Sequence, residues 1–152
     1  MQRTILLVLA ALSLFAQPAA DRQRVEALIG DYAKSVEGAD TVLAARVWSQ
    51  AADVTMIHPA GHERGFSQVR DNVYGKAMGE TFSERKLTVK DVHVVLNGKT
   101  AWAEFAWDFV AKLRKGGAPY RSKGRETQIY RKEKSGWRLV HIHYSGVPVT
   151  AQ

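Results

Sequence analysis

The chain has no cysteine among its 152 residues, so a disulfide scaffold, a thiolate nucleophile and a cysteine-ligated zinc site are all excluded. It also lacks the G-x-G-x-x-G and Walker-type glycine patterns, which removes support for nucleotide binding through those motifs. Proline is scarce, with four residues, whereas hydrophobic residues make up 45% of the chain. This composition excludes a disordered chain and a collagen-like repeat, and it predicts one globular domain with a substantial core.

Long apolar runs are missing except at the start of the chain. Arg3 is followed by the charge-free apolar segment 4–16, then by small residues and finally by Asp21. A basic start, a short apolar stretch and small residues before a charged one are typical of a secretory signal peptide. The alternative is a retained anchor, but the run is shorter than the roughly 20 residues of a membrane-spanning helix. We therefore predict a signal peptide over residues 1–20 and an exported domain, periplasmic or secreted, over residues 21–152. No stable membrane span is expected after cleavage.

After residue 20 the hydrophobic pattern is first helical and then changes to that of strands. Apolar residues recur at spacings of three and four over residues 25–36, which predicts one face of an amphipathic helix. From about Glu84 the period becomes two, and turns at Asn97-Gly98, 115–117 and 134–136 divide the rest into four long strands. The second of these strands is predicted over Thr100 to Leu113. Helices followed by a meander of antiparallel strands predict an α+β domain with helices on one face of a curved sheet.

The five histidines do not form a complete metal-binding pattern. His141 and His143 are two apart in a predicted strand and point to the same side, but no third ligand is evident. His58 and His62 are separated by a proline and a glycine, so they cannot share a helix face. We expect hydrogen bonds within the sheet and predict no metal and no other cofactor.

Carboxylates and tyrosines are the acid–base candidates. Glu104 and Asp108 have the same parity in the second long strand, and Glu126 lies in the third. A strand carboxylate that faces a pocket becomes a general base when burial raises its pKa, and Tyr32 or Tyr144 can donate a hydrogen bond to a developing oxyanion. Spacing alone does not bring these groups together, so ion pairs of Glu104 and Glu126 with nearby arginines are the favoured alternative.

The net charge of +7 is concentrated in one stretch. Residues 112–138 contain ten basic and two acidic residues, so the rest of the chain is close to neutral. Aromatic residues are not interleaved with Arg121, Lys123 and Arg125, which argues against a nucleic-acid partner. A solvated basic edge is the favoured interpretation. The alternative is an anionic envelope polymer, for which binding weakens steeply with salt.

The end of the chain resembles a known family. Without a gap, it is similar to the end of the association domain of calcium/calmodulin-dependent protein kinase II at Glu126-Thr127, Trp137, Val140-His141, His143, Ser145-Gly146 and Pro148. The order of first helix, Gly38-x-Asp40, second helix, strand and Pro59 is similar as well. The resemblance places the chain in the nuclear transport factor 2-like superfamily, which includes SnoaL-like proteins. It implies a cone-shaped, curved antiparallel sheet wrapped around a long N-terminal helix.

The same resemblance implies a pocket inside the cone and dimerisation through the outer face of the sheet. The arginines that bind carboxylate ligands in the kinase association domain correspond here to Asp108, Gln128 and Tyr144. A less cationic pocket follows, and no catalytic residue can be transferred. Strand parity then directs Asp108, Glu126, Gln128 and Tyr144 toward the pocket, with the basic residues of the same strand on the other side.

Two functions remain open at this point. The first is an exported, non-catalytic module that binds an unknown small molecule or forms an oligomer, most simply a homodimer. The alternative is a small acid–base enzyme of the isomerase or cyclase type. The candidate catalytic residues are Asp108, Glu104 and Tyr144. The candidate ligand-binding residues are Tyr32, His58, Asp108, Glu126, Gln128, His143 and Tyr144.

Overall fold

A long helix packs against one face of a six-stranded sheet. The computed structural model describes the backbone of residues 2–146 and the side-chain surroundings of residues 17–146. The helical segments are α1 (Gln2–Gly38), α2 (Thr41–Val47), α3 (Gly65–Gln68) and a π-helical segment (Val69–Glu80). The strands are β1 (Thr55–His58), β2 (Gly61–Arg64), β3 (Phe82–Asn97), β4 (Thr100–Leu113), β5 (Pro119–Glu133) and β6 (Gly136–Gly146).

The two N-terminal helices follow from the spacing and the capping residues of the sequence. α1 buries Val25, Ile29, Tyr32 and Val36, which share one face because they are three or four residues apart. After α1 ends, the Asp40 side chain accepts hydrogen bonds from the two backbone N–H groups at the start of α2. This cap satisfies donors that a helix N-terminus otherwise leaves without partners.

The sheet has the strand order β2-β1-β6-β5-β4-β3. Every neighbouring pair is antiparallel except β1 and β6, which run parallel. The predicted meander of four long strands is confirmed, and β4 has the predicted bounds. The β2 strand was not predicted, because its four residues bury only Glu63 and show no apolar alternation.

The sheet has an inner face toward α1 and an outer face turned away from it. Alternate residues of β4 from Ala101 to Ala111 are buried and form the inner face. Glu126, Gln128 and Tyr130 of β5 lie opposite them in register, so they belong to the inner face as well. The predicted α+β architecture is confirmed by this arrangement.

Asp21 is the first residue of the described chain that is buried. Its carboxylate accepts hydrogen bonds from Lys132 Nζ at 2.7 Å and from Trp137 Nε1 at 3.0 Å, whereas residues 17–19 are exposed. The bond from Lys132 is the larger cause of the lowered pKa of Asp21. Within the part of the chain that the structure describes, no helix combines the length and hydropathy that a membrane span requires.

Candidate functional site

A small cavity of about 60 Å³ lies between α1 and the inner face of the sheet. Its walls are mainly apolar, with one carboxyl group and two tyrosines among them. None of the lining residues is basic. The lining residues are Tyr32, Val36, Met56, Val73, Met78, Leu87, Trp107, Phe109, Glu126 and Tyr144.

The polar residues of the cavity are brought together by helix spacing and strand register. Tyr32 and Val36 are one helical turn apart on the buried face of α1. Glu126 pairs with Phe105 of β4 on one side and with Tyr144 of β6 on the other. Paired residues of neighbouring strands point to the same face, so Glu126 and Tyr144 lie side by side beneath the helix.

Glu126 is a buried carboxyl group with unequal partners at its two oxygens. Gln128 Nε2 donates a hydrogen bond to Oε1 at 2.7 Å, and the Tyr32 hydroxyl donates a long one to Oε2 at 3.5 Å. Burial raises the pKa of Glu126 from 4.5 to about 8, and it outweighs these two bonds, which lower the pKa. The carboxyl group is therefore mainly protonated near neutral pH.

Gln128 is oriented by a further buried hydrogen bond. The Tyr130 hydroxyl donates to Gln128 Oε1, which leaves the amide N–H₂ directed toward Glu126. Three residues of one strand face thus form a chain from Tyr130 through Gln128 to Glu126. Because Oε1 of Glu126 already accepts the amide hydrogen, the carboxyl proton belongs on Oε2, next to the weaker tyrosine contact.

The tyrosines of the cavity are hydrogen-bond donors, since they stay protonated. Burial, followed by the charge of Glu126, raises the pKa of Tyr32 well above its usual range. The same two causes raise the pKa of Tyr144 to about 12. Trp107 meets Tyr144 edge to face, and its buried Nε1 has no hydrogen-bond partner among the described residues. The site can therefore offer donor groups to a ligand oxygen.

His58 lies next to Tyr144 and does not line the cavity. Its ring is stacked on that of Tyr144, with the ring centres 6.0 Å apart. Nε2 of His58 is 3.5 Å from Oε1 of Glu63, but their geometry does not make a hydrogen bond. Asn72 Nδ2 donates to the other oxygen of Glu63 at 2.8 Å. His58 can therefore support Tyr144, and direct contact of His58 with a ligand stays a prediction.

The structure corrects the placement of Asp108 and does not bring Glu104 to the cavity. Both have the opposite parity to the buried Trp107 and therefore lie on the outer face. Asp108 forms an ion pair with Lys90, and Glu104 is exposed opposite His93. Neither carboxylate lines the cavity that contains Tyr32 and Tyr144. The predicted placement at the pocket is confirmed for Glu126 and Tyr144, whereas Gln128 is buried on the inner face without lining the cavity. The role of all three in ligand binding stays a prediction.

His143 also lies on the outer face, where it is exposed. His141 is on the same face, and its Nδ1 is 2.7 Å from the Thr55 hydroxyl. Burial is the largest cause that lowers the pKa of His141, and the nearby His143 and His62 lower it further. In residues 17–146 no cluster of three or more histidine or carboxylate side chains has the geometry to hold a metal ion.

Sequence reasoning missed the part that Trp107 plays in the site. The alternating aromatic residues of β4 indicate only core packing or a dimer face when the strand is considered alone. The missing information was the register between β4 and β5. Trp107 pairs with Gly124, and Phe105, two residues earlier on the same face, pairs with Glu126. That register puts the aromatic residues and the carboxyl group on one face.

Known proteins resemble this chain over most of its length. The family model of the SnoaL-like domain matches residues 25–150. Among solved structures, a nuclear transport factor 2 (NTF2-like) superfamily protein from Salmonella enterica serovar Typhimurium is 38% identical, with a TM-score of 0.85. The match covers 88% of this chain and 96% of that chain. A search of curated proteins finds no match.

More distant structures share the fold. A proposed dehydratase of the NTF2-like family from Streptomyces avermitilis is 21% identical, with a TM-score of 0.76 and coverage of 87% of this chain and 99% of that one. A proposed scytalone dehydratase from Novosphingobium aromaticivorans is 10% identical, with a TM-score of 0.78 and coverage of 88% and 89%. The closeness to the kinase association domain stays a prediction. The chain belongs to the SnoaL-like domain family, within the NTF2-like superfamily.

Proposed function

We propose that the chain binds a small, mainly apolar molecule in the cavity, and that protonated Glu126 donates a hydrogen bond to an oxygen of that molecule. One observation carries the proposal: a buried carboxyl group with a pKa of about 8 stands among apolar and tyrosine side chains. A neutral carboxyl group can donate a hydrogen bond, whereas a carboxylate can only accept one. A carbonyl oxygen is the matching acceptor. A carboxylate ligand is disfavoured because no lining residue is basic.

The position of the proton supports this mode of binding. Oε2 of Glu126 has the Tyr32 hydroxyl as its partner at 3.5 Å, which is beyond the usual length of an O–H···O hydrogen bond. Because Tyr32 is the donor in this contact, the contact does not use the proton on Oε2, and a ligand oxygen that approaches Oε2 can accept that proton in a hydrogen bond of normal length. Oε1 keeps its bond to Gln128, so the carboxyl group does not have to turn when the ligand enters.

The size of the cavity limits the ligand. Roughly 150 Å³ of dry cavity holds a benzene molecule, and the volume here is about 60 Å³. A ring-sized ligand therefore requires side chains of the wall to move. Met78 is the best placed to do so, since it is half-buried and has a flexible, unbranched side chain.

Cyclic and acyclic ketones test the binding proposal. We expect cyclohexanone or a smaller ketone such as butanone to bind with constant affinity below pH 7, because Glu126 is then protonated. Above about pH 8 the affinity falls about tenfold per pH unit as the carboxyl group ionises. The Glu126→Gln variant keeps a donor at all pH values, so its affinity should not depend on pH. Isothermal titration calorimetry over this pH range measures the ketone affinity of the wild type and of Glu126→Gln.

The matched control is Glu104→Gln, which removes an exposed carboxylate from the outer face. It should bind ketones with the wild-type pH dependence. Failure of every ketone in the series to bind, or wild-type affinity that stays constant up to about pH 10, contradicts the proposal.

A second candidate function is proton transfer on such a carbonyl compound. It is favoured by the pKa of Glu126, which lies near the working pH of a general base, and by the adjacent Tyr32 and Tyr144. Ionised Glu126 takes a proton from the carbon next to the carbonyl group, and a tyrosine hydroxyl donates to the enolate oxygen. Exchange of the α-hydrogens of cyclohexanone in D₂O, followed by NMR, distinguishes the two functions. Turnover by the wild type that is lost in Glu126→Gln indicates an enzyme, whereas binding without exchange indicates a binding module.

We further propose that the domain is exported and forms a homodimer. The exposure of residues 17–19 next to the anchored Asp21 is compatible with removal of residues 1–20. For the dimer, the outer face offers an apolar row in which Trp102 pairs with Val95 on one side and Ile129 on the other. Trp102 is 36% exposed, and the other two are half-buried.

Mass spectrometry of the protein recovered outside the cytoplasm tests both points. We expect a chain that begins at Asp21 and a native mass of twice that chain. Trp102→Asp places a charge in the apolar row and should give monomers. The control is Val42→Asp, which places the same charge at a more exposed apolar residue on α2 and should leave the dimer intact. An uncut chain contradicts export, and a monomeric wild type contradicts the dimer.

A further inference from the structure

We propose that the outer face of β5 binds a linear anionic polysaccharide through Arg121, Lys123 and Arg125, which we name the basic track. The three side chains alternate along the strand, so they point to the same face, and all three are exposed. Successive members are roughly 7 Å apart along the strand. A straight row of charges at this spacing complements a polymer that carries anionic groups at regular intervals.

The charges of the basic track have no ion-pair partner among the described residues, whereas four neighbouring cations of residues 112–138 are held by contacts within the fold. Arg131 pairs with Asp53, Lys132 pairs with Asp21, and Lys112 pairs with Glu84. The Arg114 guanidinium donates to the backbone carbonyls of Gly79 and Phe82. Among the described residues, the basic track has no ion-pair partner.

The surface around the basic track is a trough. Three depressions follow one another along β4 and β5, with volumes of about 390, 510 and 380 Å³. Lys123 lines both the first and the second, and Arg125 lines both the second and the third. The second depression also has Ser145, and the third has Thr127, whose hydroxyl groups suit the hydroxyl groups of a sugar chain.

The acidic groups on this surface leave the basic track positive. Asp108 is neutralised by its ion pair with Lys90. Asp91 and Glu104 lie in the third depression together with His93, so the polymer is expected to contact mainly the other two depressions. Those two are lined by Lys90 and the whole basic track, with Asp108 as the acidic residue.

The aromatic side chains favour a polysaccharide over a single-stranded nucleic acid. Single-stranded nucleic acids are bound by stacking of their bases on exposed aromatic rings, in addition to charge. Phe105, Trp107 and Phe109 border the trough, but each is at most 7% exposed and belongs to the inner face. A polysaccharide has no bases to stack, so its binding does not require exposed aromatic rings.

The proposed dimer and the polymer do not compete for the same residues. Trp102, at the centre of the apolar row, is four residues from Ala106, which pairs with Arg125, the nearest member of the basic track; this is roughly 13 Å along an extended strand. The basic track lies opposite the far end of β4, where Lys123 pairs with Asp108 and Arg121 pairs with Val110.

The experiment compares two variants with the same loss of charge. The test variant carries Arg121→Gln, Lys123→Gln and Arg125→Gln. The control carries Arg46→Gln, Lys99→Gln and Lys134→Gln, three exposed basic residues away from the trough. All the changed side chains are exposed, and thermal unfolding verifies that both variants fold. The probe is dextran sulfate, with uncharged dextran and single-stranded oligo(dT) as comparison ligands, and the Kd is measured over a range of salt concentrations.

We expect dextran sulfate, and not dextran, to bind the wild type and the control. Binding of the test variant should be at least about tenfold weaker at low salt, and the slope of log Kd against log salt should fall by about three, one for each cation removed. Equal weakening of both variants, no binding of dextran sulfate, or tighter binding of oligo(dT) than of dextran sulfate overturns the proposal.

Discussion

The free energy of unfolding of the wild-type domain is expected to fall as the pH rises from about 4.5 to about 8, and the Glu126→Gln substitution is expected to abolish this fall. In this range the folded protein keeps a proton on Glu126, whereas the unfolded chain has released it. Raising the pH therefore favours the unfolded chain. The free energy of unfolding falls by about 1.4 kcal/mol per pH unit from this group and levels off above about pH 8.

Urea unfolding at several pH values between these limits measures the effect. The difference between wild type and Glu126→Gln isolates this group, because the two proteins share every other titratable side chain. Glu104→Gln is the matched control, since Glu104 is exposed and its removal should leave the wild-type pH dependence. Parallel curves for wild type and Glu126→Gln would show that Glu126 is ionised in the folded protein at neutral pH.

Gly124→Ala is expected to destabilise the domain strongly, because the added methyl group has no room in the sheet. A Cβ atom at this position would lie 1.9 Å from the backbone oxygen of Ser145 and 2.7 Å from Cζ2 of Trp107. Neither neighbour can yield easily, because the oxygen belongs to a paired strand and the indole ring is packed in the core. We expect a loss of about 3 kcal/mol or more in the free energy of unfolding.

Gly30→Ala is the control for this substitution. Gly30 lies on α1 with no atom within 4 Å of the added Cβ, so alanine should stabilise the helix by about 0.5–1 kcal/mol. Urea unfolding compares the two variants directly. Ketone binding by Gly124→Ala should also weaken, because displacement of Trp107 moves a wall of the cavity. A change of less than about 1 kcal/mol in Gly124→Ala would contradict the close packing of Trp107 on β5.

Patterns formed by residues close together in the sequence predicted the helices and strands well. The alternation of β4 ends at strong turn signals on both sides, so its bounds Thr100–Leu113 were predictable. The spacing of apolar residues likewise predicted the buried face of α1. The π-helical geometry of Val69–Glu80 was not predicted, because apolar spacing does not distinguish one kind of helix from another at this length.

The candidate site was only half predictable, because it depends on how strands pair. Parity along one strand separates Asp108 from Trp107, but it does not say which of them faces α1. The correspondence with the kinase association domain put Asp108 in the pocket, whereas the register puts Phe105 and Trp107 there beside Glu126. The burial that raises the pKa of Glu126 also depends on α1 covering this part of the sheet, which no local pattern records.

The protonation of Glu126 is the central claim, and NMR titration of its side-chain carboxyl carbon tests it most directly. We predict a midpoint near pH 8 in the free protein and a higher midpoint when cyclohexanone is bound, since the ketone accepts a hydrogen bond from the protonated form. Glu126→Gln identifies the resonance by its absence. A midpoint near 4.5, or a midpoint that does not change when ketone binds, would contradict the account.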